Sequence, residues 1–414
     1  MEQFDFTTPI DRRNSLSVKW DKEAIASICN NGEAKPFWVA DMDFKAPPAV
    51  LEALQDQITH GVLGYPRLAT LQETIAAWTK KRHQWHVDPK FMASSPGMLA
   101  SIATLIELYS QKGEGIVVPM PAYKPFVTII KGLGRTLIPW PMHYDAKQAH
   151  FSLDFTSLRK LLEIPQNPLL LFCSPHNPSG RVFTEKELSA IAEIAAEFDT
   201  TIVSDEIHAD LAFPTVTHIP FGTIADHYGI TCATCIAPSK TFNIAGEHFS
   251  TVVCSTQAMK IQFSKRMRAL HSSPDILASV TALAAYKGGY EWLMQLNKFL
   301  AKQAHRVAFR LQESNTGLTF ITPEASFIGL IDCSAIYSRV EKDAERNPDL
   351  YQASTSVEGG LLSRFFGQRA GIAMNDGTWF GQDYFHFVRL NYGTSPQALE
   401  DALTSIIEAV KALN

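Results

Sequence analysis

Three short apolar runs, 168–173, 201–203 and 231–237, each break off into a cluster of polar residues. The first gives way to Ser174-Pro175-His176-Asn177-Pro178-Ser179-Gly180-Arg181, the second to Ser204-Asp205-Glu206-Ile207-His208, the third to Pro238-Ser239-Lys240-Thr241-Phe242-Asn243. Runs this short, without polar alternation, suit strands covered on both faces, as in a parallel sheet packed between helices. Polar residues at the ends of several such strands place a site at the carboxyl edge of the sheet. The expected fold class is therefore α/β.

A chain of 414 residues exceeds one ordinary core and points to more than one domain. A formal net charge of −5 gives no reason to expect nucleic acid or a membrane surface as partner. No apolar run approaches the length of a membrane span. The first residues, 1–13, carry early acids and lack an apolar stretch of the secretory kind, so a cytoplasmic location is the default expectation. Six cysteines do not make a disulfide framework. Cys232 and Cys235 form a C-x-x-C pair inside an expected buried strand. Their spacing of three puts the side chains on opposite faces, which favours packing over a metal or redox role.

Elsewhere the periodicity predicts helices over 21–29, 48–60, 68–85, from the Ser94–Ser101 stretch to about 111, 153–162 and 291–313. In the second of these, Val50, Leu51, Leu54 and Ile58 form the apolar stripe. Thr184 and Glu187 make a capping box for a helix to about 198. Strands are expected at 37–44, 115–118, 131–138, 327–333, 371–374 and 385–392, with helices over 361–366 and 399–413. A helical stretch over 255–287 breaks near Ser272-Ser273-Pro274, and 337–360 reads as a polar loop or insertion.

Several residues admit both a plain and a chemical reading. Lys240 could be a solvated loop lysine; held in a partly desolvated pocket it becomes a nucleophile toward a carbonyl. Asp205 could cap a helix, or pair with a buried cation. Gly97 could simply start a helix, or open an anion site with the amides that follow. Tyr123, after Pro119-Met120-Pro121-Ala122, and Tyr65, between Gly64 and Pro66, could both be packed loop residues. Arg389, inside the apolar stretch Phe385–Tyr392, needs a partner if buried.

Taken together, the patterns S-P-x-N-P-S-G, S-D-E-I-H and S-K-x-F-N resemble the pyridoxal-phosphate enzymes of the aspartate-aminotransferase fold. With Trp38-Val39-Ala40-Asp41-Met42-Asp43-Phe44 and Phe387-Val388-Arg389-Leu390-Asn391-Tyr392, the chain is most similar to the cystathionine β-lyase, or C–S lyase, branch. The resemblance runs from about Phe37 to the C-terminus. It implies fold type I: a large domain over 48–290 with a mostly parallel sheet flanked by helices, and a smaller α+β domain over 291–414 joined by the N-terminal segment 1–47. It also implies pyridoxal 5′-phosphate as cofactor, held by Lys240 as a Schiff base, with Asp205 on the pyridine nitrogen and Tyr123 stacked on the ring. Asn177 and His208 would contact the phenolic oxygen, Gly97 and Met98 the phosphate, and Ser239 the cofactor. Tyr65 would reach the phosphate of the neighbouring subunit, which makes the protein a homodimer. Arg389 would fork onto the substrate α-carboxylate, with Ala40 and Asp41 at the entrance.

The implied activity is β-elimination from cystathionine or a cysteine S-conjugate, giving a thiol, pyruvate and ammonia. An aminotransferase would use the same residues, since the two differ only in the fate of one carbanion. A regulatory or binding protein that merely keeps the cofactor is a third reading, disfavoured by the intact Lys240, Asp205, Asn177 and Arg389. The chain departs from the family pattern after Lys240. Glu247 and His248 follow Gly246 where polar phosphate-holding residues are expected, and Ala237 stands where serine is common.

Overall fold

A computed structural model describes residues 3–352 and 358–413. Its main sheet has seven strands: β1 Met92–Ser95, β2 Gly115–Met120, β3 Thr136–Pro141, β4 Leu169–Cys173, β5 Thr201–Asp205, β6 Cys232–Ile236 and β7 Ser250–Cys254. Their spatial order is β1-β7-β6-β5-β4-β2-β3. The run from β6 to β3 is parallel, and only β7 lies antiparallel to its two neighbours. Every residue of β4, β5 and β6 is buried, which is why these segments read as continuous apolar runs.

Alternate residues of each strand feed opposite layers. Leu169, Leu171, Val203 and Cys235 pack with Ile102, Phe126 and Phe263 on one face. Leu170, Phe172, Ile202 and Cys232 pack with Leu158, Ile191 and Phe221 on the other. The two cysteines of the C-x-x-C pair thus sit on opposite faces, and no cluster of metal-ligating side chains occurs among the described residues.

A second, antiparallel sheet has β8 Thr319–Phe320, β9 Ile328–Asp332, β10 Asn375–Asp376 and β11 Phe387–Asn391 in the order β8-β9-β11-β10. The helix Tyr290–Glu313 packs against β8 and the C-terminal helix Pro396–Lys411, burying Trp292, Leu296, Leu300, Val307 and Leu311. Glu187 and Thr184 form both bonds of the capping box. The expected break in 255–287 separates the helices Gln257–Ala269 and Ile276–Gly288.

Four expectations need correction. Segment 131–138 is not one strand: Lys124–Gly132 is a helix that buries Phe126 and Ile130, four apart, and the strand begins at Thr136. Segment 337–360 is helical over Ser334–Arg346 and Pro348–Tyr351, while 353–357 lie outside the described residues. There Ile336, Val340 and Asp343 share a narrow buried stripe that the charges on the other face hide. Only Lys35–Pro36 forms a strand near 37–44, pairing parallel with Ile372–Ala373. The following residues run irregularly, tied by Phe37 N–H to the Ala373 carbonyl and Asp43 N–H to the Gly393 carbonyl. Finally, the stripe on helix Pro48–His60 is only half internal: Val50 is buried and Leu54 partly so, but Leu51 and Ile58 are exposed.

Candidate active site

Parallel neighbours end at the same edge, so the register Cys173–Asp205–Cys235 brings the three polar motifs together. β2 ends beside them and leads to Tyr123, while β1 ends two residues before Gly97. The result is a cavity of about 480 Å³ lined by Lys240, Asp205, Asn177, Tyr123, His208, Ser239, Gly97, Met98 and Ala40. Its size is that of a small-molecule site. Three residues expected at the site are not in its wall; one, Arg389, lines an adjoining chamber. Asp41 turns away to Arg12 and Lys19, and Tyr65 is fully exposed on the surface.

Lys240 sits on the short helix Pro238–Thr241 directly after β6, and its Nζ donates to the Ala40 carbonyl oxygen at 2.6 Å. Burial pulls its pKa down to about 8, with Asp41 and Asp205 pulling the other way and Arg389 reinforcing the drop. Asp205, at the end of β5, is buried and makes no ion pair among the described residues. Desolvation pushes its pKa up to about 7, against the Ile207 N–H that donates to Oδ1 at 3.1 Å. His208 is buried and held near 3 by desolvation, hence neutral, with Nδ1 3.0 Å from Ser326 Oγ. Tyr123 lines the cavity as a flat aromatic wall, its hydroxyl pKa raised by burial.

Gly97, at φ +101°, precedes the helix Met98–Tyr109, whose first turn, Met98, Leu99 and Ala100, lines the cavity and carries amides without a partner inside the helix. Beneath it Ser95, Ser101 and Ser250 form a buried triangle of hydroxyls, 2.6–2.9 Å apart, that ties β1, the helix and β7 together. Glu247 does reach the cavity wall, with its carboxyl pushed up by burial and by Asp275. His248 lies beside it.

A second chamber of about 550 Å³ opens off the first, sharing Lys240, Ala40, Leu99 and Tyr123 with it. Arg389 of β11 lines it. Its guanidinium is buried, donates to Asn177 Oδ1 at 3.1 Å, to Asn375 Oδ1 at 2.8 Å and to the Trp38 carbonyl at 2.8 Å, and leaves Nε–H without an acceptor. Among the described residues no carboxylate lies within ion-pair distance of it. A buried cation without a counter-ion is costly, and its pKa falls to about 10.

Three arrangements at the site escape the sequence reading, although Asn243 belongs to the S-K-x-F-N motif and Asp41 and Asp43 to the stretch from Trp38 to Phe44. Asn243, at φ +56°, accepts from Met42 N–H and donates to the carbonyls of Met42 and Phe44, clamping the Lys240 loop to the segment that carries Ala40. Arg12 forks onto Asp41 and reaches Asp43, while Lys19, wholly buried, bonds Asp43 at 3.0 Å. Asp210, buried, accepts from Trp78 Nε1, His83 Nε2 and Thr241 Oγ1, the residue after the lysine. The Asp210 pKa is lowered by these donors although burial opposes them, and burial lowers His83 as well. An ionised aspartate accepting from a neutral imidazole fits both directions. None of these partners is close in sequence, so no local spacing signals them.

The residues fit pyridoxal phosphate. An anion-ready helix start lies at one side of the cavity, a buried carboxylate without a cationic partner at another, and an aromatic wall and a depressed-pKa lysine face the space between. The sequence pattern of the family described as aminotransferase class I and II matches residues 37–406. The chain belongs to that family. It is 32% identical to the cystathionine beta-lyase PatB of Bacillus subtilis, over 97% of this chain and 98% of PatB. It is 27% identical to the protein MalY of Escherichia coli, over 99% and 100%. Among solved structures it superposes on cystalysin from Treponema denticola, which contains pyridoxal 5′-phosphate, with a TM-score of 0.88, 29% identity and full coverage of both chains.

Proposed function

We propose that this protein is a pyridoxal-phosphate-dependent C–S β-lyase of the cystathionine β-lyase type. The observation that carries the amino-acid substrate is the buried Arg389, without a counter-ion among the described residues, in the chamber that adjoins Lys240, and the likeness to the cystathionine beta-lyase PatB favours elimination over transamination. An amino-acid carboxylate supplies the missing charge and takes the bidentate geometry of a guanidinium. That contact sets the α-carbon beside Lys240. With a pKa near 8, about a tenth of the lysine amine is neutral at pH 7, far more than for an ordinary lysine, and that form takes the α-proton as general base. Bound here, pyridoxal phosphate supplies the electron sink for the charge left on the α-carbon. Asp205, ionised by a cation opposite it, holds positive charge at the inner end of the cavity. Tyr123 orients a flat ring. In balance, the substrate and water give a thiol, pyruvate and ammonia.

Gly97 and Met98 are the phosphate contacts in this reading, Ser239 contacts the cofactor, and Asn177 and His208 face the phenolic oxygen. The division into a cofactor-holding domain, 48–290, and a smaller one, 1–47 with 291–414, belongs to it too. The pairing of Lys35–Pro36 with Ile372–Ala373 supports that grouping. The reading also includes a homodimer in which Tyr65 serves the neighbouring site. Ile58, Val62, Leu63 and Tyr65 stand out together in sequence as large apolar or aromatic side chains in water, at 59, 64, 59 and 103% exposure. Solvent-facing runs of this kind mark protein interfaces. Among the described residues no helix is long and apolar enough to cross a membrane, which agrees with a cytoplasmic enzyme.

The experiment is incubation of purified holoenzyme with L-cystathionine and no oxo acid. Steady release of pyruvate and free thiol is expected. Activity that appears only with a 2-oxo acid acceptor would replace the lyase by an aminotransferase.

A further inference from the structure

The chamber beside Lys240 is larger than an α-amino acid backbone needs, and its far side differs from its near side. Trp38, Ile129, Trp379 and Phe380 give it an apolar lining, and Lys124 and Glu358 also line it. Lys124 Nζ lies 2.8 Å from Glu358 Oε2 and 4.2 Å from the centroid of the Trp379 ring. Trp379 Nε1 in turn donates to the Glu358 backbone carbonyl at 2.9 Å. Cation, anion and indole thus form one unit, with the two charged side chains 41 and 59% exposed. The same three residues border a separate groove of about 430 Å³ on the other side, so they stand at the chamber's outer limit.

We infer that the Lys124–Glu358 pair selects substrates whose leaving group ends in a zwitterion. This rests on the lyase reading and deepens it. A half-exposed ion pair holds its members together weakly, so parting them costs little. A distal amino acid carries both charges on one carbon. Its carboxylate takes Lys124 and its ammonium takes Glu358, so one pair is exchanged for two. A short alkyl leaving group meets only the aromatic wall and never reaches the rim. The favoured class is therefore a thioether joining two amino acids, such as cystathionine, over simple S-alkylcysteines.

The test compares kcat/KM of the holoenzyme for L-cystathionine and for S-ethyl-L-cysteine, by pyruvate release, in wild type, Lys124→Met, Glu358→Gln and the exchange Lys124→Glu with Glu358→Lys. Each single change should lower the cystathionine value by about three- to fivefold, the worth of a partly exposed ion pair. S-ethylcysteine should stay within about twofold, which also reports that the variants fold. The exchange should recover much of the loss, because a zwitterion rotates to meet reversed charges. Equal losses on both substrates, or no loss on cystathionine, would overturn the inference while leaving the lyase intact. No pyruvate from either substrate in wild type would remove the lyase reading and this inference with it.

Discussion

Lys240 Nζ donates to the carbonyl oxygen of Ala40 at 2.6 Å, across 200 residues of sequence. The contact holds the amine in a cavity where burial dominates its titration and brings the pKa from 10.5 to about 8. Uptake of pyridoxal phosphate by cofactor-free protein needs the neutral amine. Its rate should climb about tenfold per pH unit below pH 8 and flatten above it. A rate still climbing to pH 10 would show an unshifted lysine. Lys240→Ala should lose both the absorbance of bound cofactor and turnover.

Asp205 is expected to be the second indispensable group. Without cofactor its carboxyl is held near 7 by burial; a cation opposite it draws the proton off. Asp205→Asn keeps the shape and removes the charge. Breaking a buried pair costs about 3–5 kcal/mol, so kcat should fall by roughly two to three orders of magnitude. In cofactor-free protein the sign reverses. The folded pKa is raised, so the wild-type carboxyl keeps its proton at low pH and becomes a liability as pH rises from 3.8 toward 7. The melting temperature of Asp205→Asn should therefore gain on wild type across that window, measured without cofactor.

Arg389→Ala removes the proposed carboxylate partner and strands Asn177, Asn375 and the Trp38 carbonyl. A loss in kcat/KM of about a hundredfold or more is expected, since truncating one member of a hydrogen-bonded charge pair costs about 2–5 kcal/mol. Cofactor absorbance should remain. Arg389→Lys should not restore the rate, because an ammonium cannot fork.

Asp210→Asn should destabilise the fold by about 1.5–3 kcal/mol, the worth of a hydrogen bond to a charged group, since Trp78, His83 and Thr241 all donate to a buried carboxylate. The folded pKa lies below 3.8, so this stability is present above pH 4 and fades as pH falls through the folded value. Urea unfolding followed from pH 7 downward should give a gap between wild type and mutant that is constant above pH 4 and narrows steadily below it.

The strand runs, their fully buried character and the residues at their ends were legible in the sequence, because burial on both faces and helix caps are written in local composition. Lys240, Asp205, Asn177, Tyr123, Gly97 and Arg389 were singled out together through the family resemblance of the motifs that carry them, and all of them line one of the two adjoining cavities. The helix Ser334–Arg346 was misread because only a narrow stripe of it is apolar. Leu51 and Ile58 belong to the apolar stripe yet are exposed, because a helical stripe does not say what it faces. What only the tertiary structure decided is long-range pairing: Asp41 satisfied by Arg12 rather than facing a substrate, Asp210 beneath the lysine loop, and Lys124 against Glu358. Periodicity reports the environment of one element at a time. Ion pairs between elements depend on how the elements meet, and that is set by packing of the whole chain.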